Sequence, residues 1–374
     1  MLIQMDKKNK SSFIVSFVFL CALGIVALVK IPRAILVQSA DPATQATTSI
    51  SKLTASTAGR LDTAAYDAKL LQIANLTTVT STKIVKGTAS TPTSTIITTS
   101  TTPVGWPVKT VYPNAGALLP FNRIVAYYGN LYSTQMGVLG KYPQAQVLQM
   151  LSDTVKDWQV ADPATPVIPA LDYIAVSAQG TPGFDGNYRS RMPDDQINQV
   201  IQMASQVNGI VFLDLQVGLS NVQTELPLLE PYLKLPQVHL ALDPEFAMHN
   251  GERPGTAVGM LDASDVNYAA NYLANIVREN NLPPKILVVH RFTQAMVTNA
   301  ENITPLPEVQ IVMDMDGFGT PAEKLSTYKN FIQSQPVQFT GFKLFYVNDV
   351  AAGHLMTPDE VLKISPEPSY IQYQ

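Results

Sequence analysis

The chain has 374 residues, of which 46% are hydrophobic and only 14% are charged, so a sizeable core is possible while the surface depends on uncharged polar residues. The formal net charge is −4, but residues 1–33 carry a local charge of +4, which leaves −8 for the remainder. An acidic remainder argues against nucleic-acid binding, which requires clustered positive charge. The single cysteine, Cys21, rules out an intramolecular disulfide and a cysteine-based metal site.

An uncharged segment near the N-terminus predicts attachment to a membrane. No residue from Ser11 to Val29 is charged, a length close to the roughly 17–20 apolar residues that cross a bilayer. Lysines at positions 7, 8 and 10 precede it and favour a cytoplasmic N-terminus. We therefore predict that residues 1–33 form a cytoplasmic N-terminus and a single-pass signal anchor, with the bulk of the chain extracytoplasmic. A signal peptide cleaved after Ala40, which would make the protein secreted, is the alternative; lipidation of Cys21 is disfavoured because Leu20, which is not small, precedes it.

Residues 34–103 predict a stalk between the anchor and the folded domain. The segment is rich in Thr and Ser, most densely over residues 88–103. Such a composition buries too little apolar surface to offset the entropy lost on ordering. Apart from a short helix over residues 63–75, we expect this stalk to be disordered and to hold the next domain away from a bacterial cell envelope.

Residues 104–374 predict one α/β domain, because short apolar segments alternate with helical ones. The predicted strands are residues 123–128, 166–175, 209–214, 237–243, 285–290, 309–314, 339–346 and 369–374. The predicted helices are residues 145–158, 194–208, 222–233, 263–280, 294–299, 322–333 and 358–363. Eight such units match the roughly 250 residues of a (β/α)8 TIM-type barrel. The alternative, a doubly wound sheet, predicts a G-x-G-x-x-G loop after the first strand; residues 127–132 lack it, which disfavours a nucleotide cofactor.

Acidic and polar residues stand where the predicted strands end, which is the active-site face of this kind of barrel. The apolar runs stop at Asp172, Asp214, Asp243, His290 and Asp314. Three of these residues are followed two positions later by another polar residue: Asp214 by Gln216, Asp243 by Glu245 and Asp314 by Asp316. Residues two positions apart share one face of a strand. We expect several carboxylates to converge on one pocket, where mutual repulsion raises the pKa of at least one of them.

The Asp243-Pro-Glu245 motif resembles the strand-four pattern of several glycoside hydrolase barrels, including the family-18 chitinases and the family-25 lysozymes. It supplies only the last two acids of the chitinase D-x-x-D-x-D-x-E string, and Pro244 is a departure. The D-L-Q, L-D-P-E and D-G-x-G-T-P segments also resemble a group of exported bacterial proteins of unknown activity, which implies no reaction.

Glycoside hydrolysis requires two carboxyl groups, one of them an acid. On this interpretation Glu245 is the general acid, Asp316 or Asp214 is the nucleophile or base, and Asp243 tunes Glu245. The expected carbohydrate-binding residues are Tyr128, Asp172, Gln216, His290, Asp314, Asp185 and Tyr188. The last two belong to loop 180–189, which is expected to cover the cleft on an enzyme of the cell envelope.

Two other functions remain open. His290 with Asp214, Asp243 and Glu245 could bind a divalent metal in a phosphodiesterase or deacetylase, although no H-x-H or H-E-x-x-H spacing is present. The barrel could also bind glycan or a partner without catalysis, because acids at strand ends often cap helices or pair with basic residues.

No cofactor is expected on the leading interpretation, and the absence of G-x-S-x-G disfavours a serine hydrolase. Residues 317–321 are interpreted as a turn with Pro321 opening a helix, rather than as a phosphate loop.

Overall fold

A computed structural model describes residues 60–88, 93–102 and 105–374. The predicted signal anchor in residues 1–33 lies outside these ranges, so it stays a prediction. Among the described residues, no helix combines the length and the apolar character needed to cross a bilayer.

The folded domain is a closed barrel of eight parallel strands, as the sequence predicted. Its strands are, in chain order, β3 (Arg123–Gly129), β4 (Val167–Ala178), β6 (Ile210–Leu215), β7 (Val238–Leu242), β9 (Lys285–Arg291), β11 (Val309–Met315), β12 (Phe339–Leu344) and β13 (Tyr370–Tyr373). Each strand pairs with its neighbour in this order, and β13 pairs with β3 to close the sheet. Three short strands were not predicted: β5 (Arg189–Arg191), which extends β4 as a hairpin, and the pair β8 (Leu261–Asp262) and β10 (Val297–Thr298).

Helices surround the barrel, and several differ from the prediction. They are α2 (Val138–Lys141), α3 (Gln144–Ala161), α4 (Asp194–Gln206), α5 (Val222–Glu225), α6 (Glu230–Leu233), α7 (Ala263–Asn280), α8 (Pro321–Tyr328), α9 (Asn348–Ala352) and α10 (Pro358–Val361). The helix predicted over 222–233 is interrupted by a 3₁₀ turn because Pro227 and Pro231 lack the N–H that a continuous helix needs. The helix predicted over 294–299 is replaced by a 3₁₀ turn and β10.

Two apolar cores follow from the alternation of side chains along each strand. The outer core lies between the barrel and its helices, and Val125, Leu171 and Leu213 contribute to it. The inner core fills the barrel itself and includes Ala126, Ala170, Phe212, Ala241, Val288 and Val312. Each of these six inner-core residues lies two positions before a polar residue, so those polar residues also face inward, nearer the carboxyl ends of the strands.

In the described part of the predicted stalk, the short helix expected over residues 63–75 is present, whereas a hairpin replaces the disorder expected for the residues that follow it. Helix α1 (Thr63–Ala74) packs Tyr66, which is 2% exposed, into the inner core together with Leu119 at the amino ends of the strands. Beyond it, β1 (Thr77–Val85) and β2 (Ser94–Thr102) form an antiparallel hairpin. Helix α1 places Tyr66, Leu70 and Ile73 on one face, and this apolar face packs against the barrel although the neighbouring segments are polar in composition.

Candidate functional site

The carboxyl end of the barrel interior holds a dense group of polar side chains, here called the mouth cluster. It consists of Tyr128, Asp172, Asp214, Gln216, Asp243, Glu245, His290, Asp314, Asp316, Lys343, Tyr370 and Gln372. All except Glu245 are buried. The structure therefore brings together nine of the eleven residues that the sequence singled out.

One hydrogen-bonded chain crosses the mouth cluster from β3 to the end of β7. The Tyr128 hydroxyl donates to Oδ2 of Asp214 over 3.0 Å. The Gln216 amide donates to the Tyr128 hydroxyl over 3.1 Å and to Oδ2 of Asp243 over 3.1 Å. Its own oxygen accepts from the backbone N–H of Ala178, which fixes the orientation of the amide. Tyr128 and Gln216 therefore position two carboxyls rather than pointing freely at a ligand.

A second pair lies on β9 and β11. Nδ1 of His290 lies 3.0 Å from Oδ2 of Asp314, and the two residues are register partners. Gly341, the partner of Asp314 on β12, makes room for that carboxyl, because a Cβ at this position would clash with Oδ1 of Asp314. Burial lowers the pKa of His290, so its imidazole is neutral near pH 7.

A third group lies deeper, between β4 and β13. Oδ2 of Asp172 accepts hydrogen bonds from the Tyr370 hydroxyl over 2.6 Å and from the Gln372 amide over 2.8 Å. Asp172 is fully buried. It therefore serves the interior network rather than an accessible binding surface, which differs from the expectation that it contacts carbohydrate. Tyr370 and Gln372 follow a run of turn residues and gave no sequence signal of their own.

Lys343 is the member of the mouth cluster whose importance the sequence did not reveal. It is 3% exposed, and its ammonium lies 2.9 Å and 3.0 Å from the two carboxylate oxygens of Asp316. It also lies 4.0 Å from the centre of the Tyr128 ring, within cation–π range. The sequence did offer one indication of this role: Lys343 interrupts the apolar run of β12, two residues after Gly341.

Glu245 reaches the mouth cluster by a route different from the predicted one. Strand β7 ends at Leu242, and Pro244–Phe246 form a 3₁₀ turn capped by Asp243, whose Oδ1 accepts from the Glu245 N–H. Because Glu245 is not on the strand, the i, i+2 argument does not place it. Its side chain is partly exposed, and its carboxyl has no hydrogen-bond partner among the described residues.

Burial and like charges raise the pKa values of the acids in this cluster. Burial, reinforced by Asp243 and Asp316, raises the pKa of Glu245 to about 8. Burial, with a contribution from Asp214, raises the pKa of Asp243 to about 7. Burial also raises the pKa of Asp214 well above its usual value. With a pKa of about 8, Glu245 is mostly protonated at neutral pH.

Loop 179–191 does not bring Asp185 and Tyr188 into the mouth cluster. Asp185 instead forms an ion pair with Arg189 over 2.7 Å. The loop borders an open surface groove of about 460 Å³, and Phe184 at its edge is fully exposed. Residues 317–321 form the predicted turn and helix start: Thr320 caps α8 and Pro321 is its first residue.

Within the described ranges, no group of three or more His, Cys, Asp or Glu side chains has the arrangement of a metal site. Several buried polar atoms of the mouth cluster nonetheless lack a partner there: Oδ1 of Asp172, Asp214 and Asp314, Nε2 of His290 and Oε1 of Gln372. An unsatisfied buried polar atom costs roughly 1–3 kcal/mol. These atoms mark where water or a polar ligand would be stabilised.

Some solved structures resemble the barrel distantly. A cellulase, Cel5C_n, is 14% identical, and the match covers 67% of this chain and 75% of the cellulase with a TM-score of 0.38. A dihydropteroate synthase of Burkholderia cenocepacia is 10% identical over 68% of this chain and 86% of its own, with a TM-score of 0.33. A flavocytochrome b2 variant is 10% identical over 88% and 71%, with a TM-score of 0.29. No protein-family model and no curated protein matches the chain. Since one barrel fold hosts many chemistries, these likenesses carry no inference about activity.

Proposed function

We propose that the protein is a glycoside hydrolase-like enzyme that acts on a polysaccharide outside the cytoplasm, with Glu245 as its general acid. One observation carries this proposal: the Glu245 carboxyl is partly exposed at the mouth, lacks a hydrogen-bond partner in the described structure and has a pKa raised to about 8. With that pKa, about nine in ten Glu245 carboxyls hold a proton at pH 7. A protonated, accessible carboxyl is what cleavage of a glycosidic bond requires.

The second carboxyl of the reaction is Asp316 rather than Asp214. Asp214 is fully buried, one of its oxygens accepts a hydrogen bond from Tyr128, and burial raises its pKa well above the usual value, which disfavours the charge that a nucleophile or base needs. Asp316 is 8% exposed, forms an ion pair with Lys343 and is close enough to Glu245 to raise the pKa of that acid. Asp316 therefore combines accessibility with a charge-stabilising partner, as a nucleophile or base needs.

The accompanying groups also suit an uncharged polyhydroxylated ligand. His290 is neutral, and its Nε2 has no partner among the described residues. The oxygens of Asp214 and Asp314 that also lack a partner there can accept hydrogen bonds from hydroxyls. Within the described residues, Asp316 is the one acid of the six that pairs with a charged basic residue, Lys343, since the partner of Asp314 is the neutral His290. Full pairing of the acids would have indicated a purely structural or binding role. The extracytoplasmic location rests on the apolar N-terminal segment alone.

The test is hydrolysis of a panel of envelope and plant-type polysaccharides by the full-length protein, with and without EDTA. Glu245→Gln is compared with Glu323→Gln, an exposed glutamate that caps α8. Activity that survives EDTA, vanishes in Glu245→Gln and persists in Glu323→Gln is expected, with an alkaline limb near pH 8. Activity lost to EDTA would indicate a metal-dependent hydrolase of phosphodiesters or N-acyl groups. Binding of a glycan without turnover would indicate a non-catalytic barrel.

A further inference from the structure

Lys343 occupies an unusual place for a lysine, inside the barrel and beneath the ligand-facing carboxyls. Its ammonium contacts both oxygens of Asp316 and lies over the face of Tyr128. The ring of Phe345, the residue that directly follows β12, lies 5.2 Å from the same ammonium. Two aromatic rings and one carboxylate therefore replace the water that an exposed lysine would have.

These contacts argue against a role for Lys343 as a nucleophilic amine. An imine-forming lysine must lose its proton, which a depressed pKa makes possible. Burial does disfavour the charged form of Lys343, but Asp316, Asp243 and Asp314 outweigh it and raise the pKa of the ammonium. Lys343 is thus a fixed positive charge.

The Lys343 ammonium contacts only one of the two carboxyls of the proposed reaction. Asp316 contacts it directly, at 2.9 Å, whereas the Glu245 carboxyl makes no hydrogen bond or ion pair with Lys343 or with any other described residue. In a site of low dielectric, an adjacent cation strongly favours ionisation of the carboxyl it touches. The remaining proton of the pair then resides on the carboxyl without a cation.

We propose that Lys343 is a positioning residue that holds Asp316 as the charged carboxylate and thereby leaves Glu245 as the proton donor. This inference rests on the proposed function and deepens it by assigning the two roles. During cleavage the Glu245 proton passes to the leaving glycosidic oxygen. Asp316 either bonds to the anomeric carbon as the C–O bond breaks, or accepts a proton from the water molecule that attacks the anomeric carbon.

Other titratable groups face Asp316 and must be considered with Lys343. His290 on β9 lies 3.6 Å from Asp316 and is neutral near pH 7. Other acids approach from β6, β7 and the turn that follows it, namely Asp214, Asp243 and Glu245, and burial raises the pKa of each of them. Lys324 on α8 also interacts electrostatically with Asp316, but its ammonium forms its ion pair with Asp349, over 2.9 Å. Lys343 is therefore the lysine that contacts the Asp316 carboxylate directly in the described structure.

The experiment compares Lys343→Met, which removes the charge at similar length, with Lys343→Arg, which keeps it. The matched control is Lys285→Met, because Lys285 is an equally buried lysine at the amino end of β9 that donates to the carbonyls of Leu235 and Val238. Full-length variants are assayed for the pH dependence of kcat/KM on the active polysaccharide. In parallel, the Asp316 carboxyl is titrated by carbon-13 NMR, with its signal assigned by Asp316→Asn.

In Lys343→Met we expect kcat to fall more than KM changes, and the acid limb of kcat/KM to move up by about one pH unit or more. The NMR titration of Asp316 should move in the same direction, while Lys343→Arg and Lys285→Met should keep the original acid limb. A folded Lys343→Met variant with an unmoved acid limb and an unmoved Asp316 titration would overturn the inference. If the wild-type protein hydrolyses nothing, the proposed function fails, and the NMR titration still decides whether Lys343 keeps Asp316 charged.

Discussion

Replacement of Asp172 by Asn should remove a measurable part of the pH dependence of stability. Asp172 is fully buried, and burial raises its pKa to about 7 even though the Tyr370 hydroxyl and the Gln372 amide favour its charged form. In the unfolded chain the same group titrates near 3.9. The folded state therefore keeps a proton that the unfolded state releases, and the free energy of unfolding falls as pH rises from about 4 to about 7.

The magnitude follows from these two pKa values. Between pH 5 and pH 8, one such aspartate lowers the free energy of unfolding by about 2.5 kcal/mol. Asn has nearly the same shape, and its oxygen can still accept from Tyr370 and Gln372, but it has no proton to lose. The wild-type protein should therefore lose about 2.5 kcal/mol more than Asp172→Asn over this pH range.

Urea unfolding of both full-length proteins at pH 5 and pH 8 measures this difference. Asp185→Asn is the control, because hydrogen bonds from Asn187 and Arg189 lower the pKa of Asp185 to about 2 and it stays charged throughout this range. That control should lose as much stability as the wild type. An equal loss in Asp172→Asn and the wild type would refute the view that Asp172 is protonated in the folded barrel.

Three further predictions concern packing and ligand binding. Gly341→Ala should lower the free energy of unfolding by about 1–3 kcal/mol in urea, since its methyl group would displace the Asp314 carboxyl; unchanged stability would contradict the tight approach seen on β12. Tyr66→Ala should lower the free energy of unfolding by about 3 kcal/mol or more in the same measurement, because the ring fills the amino end of the barrel. A negligible loss would contradict the packing of α1 against the barrel. The groove beside the exposed Phe184 ring is expected to hold a distal part of the polymer. Phe184→Ala should therefore weaken polysaccharide binding about fivefold in affinity electrophoresis and leave the hydrolysis of a short chromogenic glycoside unchanged.

Much of the architecture was readable from local pattern. The eight strands coincide with the apolar segments, and Pro321 opens α8 as its position suggested. The polar residues at the strand ends also follow from the sequence, because the closure of a (β/α)8 barrel brings every carboxyl end to one face. Period and composition therefore sufficed for the fold and for most members of the mouth cluster.

Local pattern failed where a residue's role depends on a distant contact. The alternation rule placed Glu245 on a strand, yet Pro244 ends β7 and a 3₁₀ turn carries the carboxyl instead. Asp185 looked like a ligand for sugar but pairs with Arg189 four residues later. Helix α1 lies in a polar, Thr-rich region, and only its packing against the barrel makes it part of the core.

The sequence by itself determined the number and order of the strands and the acidic character of the barrel mouth, because both arise from residues close together in the chain. Only the tertiary structure decided how charge is shared there. Lys343 and Asp316 are 27 residues apart in the chain, and their ion pair exists because β11 and β12 lie side by side with both side chains turned inward. Burial then removes the water that would screen the charges, so a single lysine can decide which carboxyl keeps its proton.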